Sequence, residues 1–320
     1  MWGLTSDYKG LFKYSSSNIQ YEYTNTQLNT IAEDVYNTSF YNGNGVFRGT
    51  LQNVSNLSMN DVKKRVNLYS DLSYLQLNSN ITNMMYCYSG YSTLINIPNF
   101  DTSNVTSMSR MFNGCSNLTS IPNFDTSNVT TMHSMFEQCS NLTNIPNFNT
   151  SKVIDMSNMF YKCINLTTVP NYNTSNVTNM EATFMLCTHL TSIPNLDTSN
   201  VIGMFGMFQH CHALINTPNL NTDNVTDMGA MFYYCINLVD VLQYNTSKVK
   251  RMGSIVSYSN NISNESIQNI INMCLNSNIT NSDYMNLNNV NYNSPFYSTK
   301  FDNSYYQNRW SELTAAGWKY

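Results

Sequence analysis

One phrase recurs along the chain at a fixed spacing of 24 residues, and this spacing constrains the fold more than any other feature. The phrase Pro-Asn-Phe-Asp-Thr-Ser-Asn-Val begins at Pro98 and again at Pro122. Proline and cysteine keep this spacing without a slip, at Pro98, Pro122, Pro146, Pro170, Pro194 and Pro218, and at Cys115, Cys139, Cys163, Cys187, Cys211 and Cys235. Self-similarity at such a period predicts a solenoid, in which each unit buries its apolar face only by stacking on its neighbours.

The apolar residues within one repeat predict its local structure. Five of them follow one another at steps of three, three, one and three residues, namely Val105, Met108, Met111, Phe112 and Cys115. These steps predict a short helix, whereas the apolar positions in residues 118–121 fit only a strand or bend. Pro122 ends that strand because it has no amide hydrogen to donate. The predicted fold class is an α/β solenoid, a coil of 24-residue repeats built from short parallel strands and short helices.

The repeat pattern decays at both ends, and this gives the predicted domain boundaries. Residues 1–74 carry no repeat and are predicted to form a small α+β N-terminal cap or attachment module. Residues 75–262 form the solenoid, with six clean repeats between degenerate first and last copies. Residues 263–320 form a helical C-terminal cap, which begins with a helix whose apolar face is Ile267, Ile270, Ile271, Cys274 and Leu275.

Composition argues against several classes of partner. Charged residues make up 11% of the chain and the net charge is −4, so nucleic acid is a poor partner. The sequence has no apolar run of membrane-spanning length and no secretory signal at its first residues, so we expect no membrane insertion. Asn, Ser and Thr supply most of the polar surface, which suits sugars or neutral polypeptide; a composition biased toward Asn codons explains the same excess.

The cysteines and histidines are weak candidates for metal or redox chemistry. Six of the eight cysteines hold one repeat position, which predicts a column of buried thiols because a cysteine facing the core behaves as a small apolar residue. The best metal candidate is His210-Cys211-His212, with Cys187 and His189 one repeat earlier. Cys211 holds the core position, so the ligands do not converge as tetrahedral zinc requires. We expect no metal, no cofactor and no catalytic residue.

Two outward rows of the repeat are candidate binding faces. The variable positions that follow Met108 are predicted to face away from the core on the helical row, with Arg110, His133, Glu137, Tyr161 and Lys162 as candidate contacts. The predicted strand carries a uniform polar face, made of Thr119, Ser120, Thr143, Asn144, Thr167, Thr168, Thr191 and Ser192. The strand face is the better candidate because parallel strands give a rigid, regularly spaced array.

Residues 101–122 read Asp-Thr-Ser-Asn-Val-Thr-x-Met-x-x-Met-Phe-x-x-Cys-x-x-Leu-Thr-x-Ile-Pro, and the following repeats keep this phrase. The phrase resembles the BspA-like leucine-rich repeats of surface proteins in gut bacteria, protozoa and their phages. The resemblance implies a right-handed solenoid used for adhesion to host proteins or glycans, with no catalytic residues to carry over.

The resemblance and the N-terminal sequence together give the functional expectation. The absence of a signal peptide and of a cell-wall sorting motif favours a phage virion protein, in a tail or head appendage, over a bacterial surface adhesin. We expect a receptor-binding protein that recognises a host cell-surface protein or glycan and contacts other virion proteins through its N-terminal region. The alternative is a structural virion component whose solenoid packs against other virion proteins. Homo-oligomers fit either role.

Overall fold

The chain is a stack of coils joined by one parallel β-bridge per repeat. A computed structural model describes residues 81–97, 99, 101–279 and 307–316. The bridges link residues 24 apart into one continuous row, namely Asn83, Ser107, Thr131, Asp155, Asn179, Gly203, Asp227 and Arg251. The row confirms a repeat solenoid. The predicted N-terminal cap, residues 1–74, lies outside the described residues.

Backbone hydrogen bonds flank each bridge and tie every coil to both of its neighbours. Thr130 N–H donates to the Thr106 carbonyl of the coil before it, at 2.9 Å, and Met132 N–H donates to the Asp155 carbonyl of the coil after it, at 3.0 Å. Each parallel contact is one bridge wide, so the described coils contain no longer strand. The only helices in the described ranges are α1, Asn264–Asn276, and α2, Gln307–Ala315.

The helix predicted for residues 105–115 is wrong, because this segment is a succession of tight turns. Met111 N–H donates to the Met108 carbonyl within the coil, while Phe112 N–H donates to the Met135 carbonyl of the next coil. In a helix, both N–H groups would donate to carbonyls of their own coil. Arg110 and Gly114 also have positive φ values of 53° and 77°, which an α-helix excludes. Turns closed every three residues produce the same apolar spacing as a helix.

The predicted strand at residues 118–121 is also corrected. On that side of the described solenoid a single bridge joins two coils, Asn216 with Asp240. Few backbone hydrogen bonds connect the coils there, one of them from Thr191 N–H to the Thr167 carbonyl at 3.1 Å. The regular parallel ladder therefore runs along the row predicted to be helical.

A column of aromatic rings forms the centre of the core. Tyr88 and Phe112 stack with their ring centroids 5.3 Å apart, and each further pair stacks at 5.5 to 5.8 Å with interplanar angles of 4° to 14°. The column continues through Phe136, Phe160, Phe184, Phe208 and Phe232. Valine, methionine and leucine columns beside it are equally buried. Stacking therefore removes every repeat's apolar face from water.

A column of buried threonine hydroxyls ties each coil to the next. Thr150 is 1% exposed, and its Oγ1 donates to the Asn173 carbonyl at 2.8 Å. The equivalent bond to the next coil recurs from Thr102, Thr126, Thr174, Thr198 and Thr222, and Thr246 at the end of the column donates to the Met273 carbonyl of helix α1. Each buried hydroxyl thereby has a hydrogen-bond partner, as buried polar groups in folded proteins generally do.

The cysteines form a third column, and all eight are reduced, buried thiols, as predicted. Cys139 Sγ donates to the Phe112 carbonyl at 3.1 Å, and the other repeat cysteines make the equivalent bond. Ser259 takes the same place at the end of the column and donates to the Phe232 carbonyl at 2.9 Å. Burial raises the pKa of Cys115 and Cys235 to about 12.

Helix α1 covers the last coil and confirms the predicted C-terminal helix. Ser263 is its N-cap, and its side-chain oxygen accepts from Ser266 N–H. The helix buries Ile267, Ile270, Ile271, Met273 and Cys274, while the predicted Leu275 is partly buried. Helix α2 packs on α1, and its Leu313 is fully buried. Neither described helix is long and apolar enough to cross a membrane.

Replacing Thr150 by Val tests the hydroxyl column. The variant keeps the side-chain shape but leaves the Asn173 carbonyl without its donor, so we expect the free energy of unfolding to fall by about 1–2 kcal/mol. Urea denaturation monitored by circular dichroism measures this change. The control, Thr150→Ser, keeps the hydroxyl and should lose less. Equal midpoints for Thr150→Val and the parent would show that this bond does not stabilise the stack.

Thiol reactivity tests the cysteine column. Because burial raises the pKa of the repeat thiols and of Cys274, we expect almost no reaction with Ellman's reagent near pH ~8 in the folded protein. The same titration in denaturant should find all eight thiols. Fast reaction of even one equivalent in the native protein would contradict the packing described for the column.

Candidate binding surface

The predicted polar face lies fully at the surface of four successive coils. All eight of its residues are exposed: Thr119, Ser120, Thr143, Asn144, Thr167, Thr168, Thr191 and Ser192. Their hydroxyls make few bonds to the solenoid, one of them from Thr191 Oγ1 to the Thr167 carbonyl at 3.3 Å. Isoleucine replaces threonine in the coils on either side, at Ile95 and Ile215, which are 48% and 54% exposed, while Asn216 keeps the second position polar. The polar face is thus a regular array of hydroxyls and amides over four coils, with an exposed isoleucine at each end.

The structure brings two of the predicted contacts on the other row together. Arg110 Nη2 lies 3.4 Å from His133 Nε2, and His133 Nδ1 lies 2.7 Å from the hydroxyl of Ser157. The Arg110 guanidinium also lies over the Tyr86 ring, 5.6 Å from its centroid. Both Arg110 and His133 are only partly exposed. Much of their hydrogen-bonding capacity is used within the solenoid.

The other predicted contacts sit one turn farther along each coil. Lys162 Nζ lies 5.3 Å from the centroid of the Tyr161 ring, and Glu137 Oε1 accepts a hydrogen bond from Gln138 Nε2 at 3.4 Å. The prediction that all variable positions face outward is wrong for three serines, which are buried: Ser109, Ser134 and Ser157. Their direction follows from the turn geometry, which differs from that of a helix.

A cluster of aromatic and imidazole rings, missed from the sequence, covers the C-terminal coils. This ring cluster consists of His210, His212, Tyr233, Tyr234 and Tyr258. Ring centroids lie 4.8 Å apart for His210 and Tyr234, 5.7 Å for His210 and His212, and 5.8 Å for Tyr234 and Tyr258. Tyr234 is 38% exposed. The sequence does contain a sign of the cluster, because His210, Tyr234 and Tyr258 are 24 residues apart. This spacing is visible only when successive repeats are aligned.

The electrostatics of the ring cluster are those of a neutral surface. Burial lowers the pKa of His210, and the neighbouring His212 lowers it further; burial and His189 act in the same way on the pKa of His212. Both imidazoles are therefore neutral at pH 7. The turn segments that carry the cluster are residues 209–213, 233–237 and 257–261. Neither these segments nor the equivalent one in the coil before them, residues 185–189, contain Asp, Glu, Lys or Arg.

His212 carries the unsatisfied polar group of this surface. Its Nε2 is buried and has no hydrogen-bond partner among the described residues. A buried nitrogen of this kind costs free energy unless a partner completes its bonding.

The metal candidate of the sequence does not converge. Cys187 and Cys211 donate their thiols to the Phe160 and Phe184 carbonyls inside the core. His210 and His212 lie outside it, among the tyrosine rings. No group of three metal-binding side chains occurs in the part of the chain that the structure describes.

A polar groove of about 650 Å³ runs along the asparagine turns near the C-terminal end, where it is lined in part by Asp197, Asp223 and Tyr244. Its polar groups are largely committed to the turns. Asp197 Oδ1 accepts from Ser199 N–H at 3.0 Å, and these bonds to Ser199 lower the pKa of Asp197. Tyr244 donates its hydroxyl to the Pro218 carbonyl at 2.7 Å. Because these polar groups are already hydrogen-bonded, the groove is a weaker candidate site than the ring cluster.

Comparison with known proteins places the repeats in a family. The profile of a family described as "Mycoplasma protein of unknown function, DUF285" matches residues 47–168, 80–192, 140–238, 164–270 and 192–314. A comparison with curated proteins gives no match. Among solved structures, the crystal structure of a leucine-rich-repeat protein from T. pallidum is similar, with 18% identity and a TM-score of 0.43 over 53% of this chain and 77% of that one.

Histidine titration tests the electrostatics of the ring cluster. We expect NMR titration midpoints for His210 and His212 below the ordinary value of 6.5, with assignments from His210→Asn and His212→Asn. A base whose pKa is lowered on folding binds protons first in the unfolded state. The free energy of unfolding should therefore decrease as the pH falls from 6.5 toward the folded-state pKa. Midpoints at or above 6.5 would contradict the burial of these rings.

Proposed function

Because this chain belongs to the family described as Mycoplasma proteins of unknown function, DUF285, and is built as a repeat solenoid, we propose that it is a non-enzymatic binding protein that recognises a protein or glycan on a cell surface. The observation that carries the proposal is the separation of constant and variable positions. The buried columns repeat with little change from coil to coil, while the outward turn positions change.

The outward positions differ in chemistry along the stack although the backbone beneath them does not. Gly114, Gln138, Lys162, Leu186 and His210 occupy equivalent places, and each donates its N–H to the next coil at 2.7–2.8 Å. Because side chains at these places are exposed or partly exposed, their variation does not serve the core. Variable side chains on a rigid repeated frame are typical of binding surfaces.

The chemistry of the described residues supports binding over catalysis. Thiols are the strongest nucleophiles in the chain, yet they are buried, and burial raises the pKa of the repeat cysteines. A nucleophilic cysteine needs the opposite, an accessible sulfur with a lowered pKa. The exposed polar face consists of neutral hydroxyls and amides, which bind ligands by hydrogen bonds.

The same binding role fits a receptor-binding protein in a phage tail or head appendage and an adhesin on a bacterial surface. A structural component of a virion is the second candidate. It is favoured by exposed apolar side chains spread along the solenoid, among them Ile95, Ile154 and Ile215, which are 48%, 50% and 54% exposed. Exposed apolar side chains suit packing against another protein.

Binding of the labelled full chain to intact candidate host cells tests the proposal. We expect saturable binding that unlabelled chain displaces. The double variant Thr167→Glu, Thr191→Glu places two charges on the polar face and should weaken binding about tenfold or more. The matched control, Asn171→Glu with Asn195→Glu, places the same charges on exposed residues of the same coils at the turn after the prolines, and should bind like the parent.

Two other results would contradict this expectation. No saturable binding to cells, together with recovery of the chain in a complex of fixed stoichiometry with particle proteins, would replace recognition by the structural role. Equal loss of binding in the two double variants would assign the effect to net charge and remove the polar face from the site.

A further inference from the structure

Three successive coils hold bulky rings at a backbone position that favours glycine. His210, Tyr234 and Tyr258 have φ values of 61°, 58° and 63°. Gly90 and Gly114 occupy the equivalent place in two other coils, with φ values of 85° and 77°. The left-handed region is unfavourable for any residue with a Cβ, and Gln138, Lys162 and Leu186 bear the same cost in the coils between. Large rings at these positions thus work against the preference of the backbone.

The rings gain contacts with one another on the surface. Tyr233 and Tyr258 meet edge to face at 5.4 Å, and His212 lies 5.7 Å from Tyr234. Tilted and edge-to-face aromatic pairs are stabilising. The contacts offset part of the backbone cost, yet Tyr234 remains 38% exposed. Exposed aromatic area with polar edges is therefore kept at a position where glycine would relieve the strain.

Three features of the ring cluster define the ligand it suits. Ring faces carry negative partial charge and attract C–H groups that carry positive partial charge. Tyrosine hydroxyls and the amide of Gln209 are polar groups in the same segments. The turn segments of the cluster carry no formal charge, so an ionic ligand finds no counter-charge on them.

We propose that the ring cluster is a carbohydrate-binding site for a neutral oligosaccharide, with sugar rings stacked on Tyr234 and Tyr258 and sugar hydroxyls bonded to the polar edges of the cluster. The inference rests on the proposed binding function; it adds the ring cluster to the polar face as a second contact region and names the ligand class. Sugar rings present C–H groups on their faces and hydroxyls at their edges, which matches aromatic faces flanked by polar groups.

The size of the cluster favours a sugar over a protein. From the coil of His210 to the coil of Tyr258 there are two coil spacings, which at about 4.8 Å each cover roughly 10 Å. This length accommodates a short oligosaccharide. A stable protein interface needs roughly 800 Å² on each partner, far more than these five rings expose.

Replacement by glycine provides a sharp test because it removes the ring and relieves the backbone at once. Tyr234→Gly and Tyr258→Gly are made in the full chain, and binding is measured by saturation-transfer NMR against short, uncharged oligosaccharides of glucose, galactose, mannose and N-acetylglucosamine. We expect the parent to bind at least one of them, and each variant to lose about tenfold in affinity without a fall in Tm. Asn158→Gly, which relieves another positive φ (55°) in a coil outside the cluster, should bind like the parent.

The outcomes separate this site from the general function. Saturable binding to cells that Tyr234→Gly and Tyr258→Gly leave unchanged would overturn the carbohydrate site and leave the binding function standing. Loss of cell binding in these variants without binding of any uncharged oligosaccharide would assign the cluster to a protein partner and overturn the ligand class. A fall in Tm that accompanies the loss of affinity in both variants would show that the rings serve stability alone.

Discussion

The hydrogen bond between equivalent turns of successive coils is the constraint on which the rest of the structure depends. It joins backbone groups about one repeat apart, as in Phe136 N–H to the Met159 carbonyl at 2.9 Å. These bonds fix the register, so every side chain lies directly over its equivalent in the next coil. The aromatic, threonine and cysteine columns follow from that register. A repeat longer or shorter by one residue would break all of them at once.

The same bond explains which local predictions hold and which fail. The period, the buried valine, methionine, phenylalanine and cysteine positions and helix α1 are all readable from the sequence, because each leaves an apolar pattern. The helix at residues 105–115 was wrong because a helix and a series of tight turns both place apolar residues three or four apart. The choice between them depends on whether Phe112 N–H bonds within its coil or to Met135. That bond is non-local, and the pattern of one repeat does not contain it.

The candidate site was partly readable for a similar reason. The polar face was found because its eight positions are uniformly hydroxyl or amide, and the structure exposes all of them. The sequence of one repeat does not indicate the ring cluster, because its members are scattered along the chain and meet only when coils stack. His210 and Tyr234 are ordinary residues in their own repeats. They become a surface because the register places their ring centroids 4.8 Å apart.

Stability and recognition are separable in this architecture. The outer turn position donates the same N–H bond whether it carries Gly114, Gln138 or Tyr234. The stack therefore sets no requirement on the side chain there beyond the cost of a positive φ. Glycine is the cheapest choice, and the first clean coil has Gly114, whereas every later coil has a residue with a side chain there and the last three have His210, Tyr234 and Tyr258. Because the core cannot account for this change along the stack, the surface chemistry of the C-terminal coils is where a ligand is best sought.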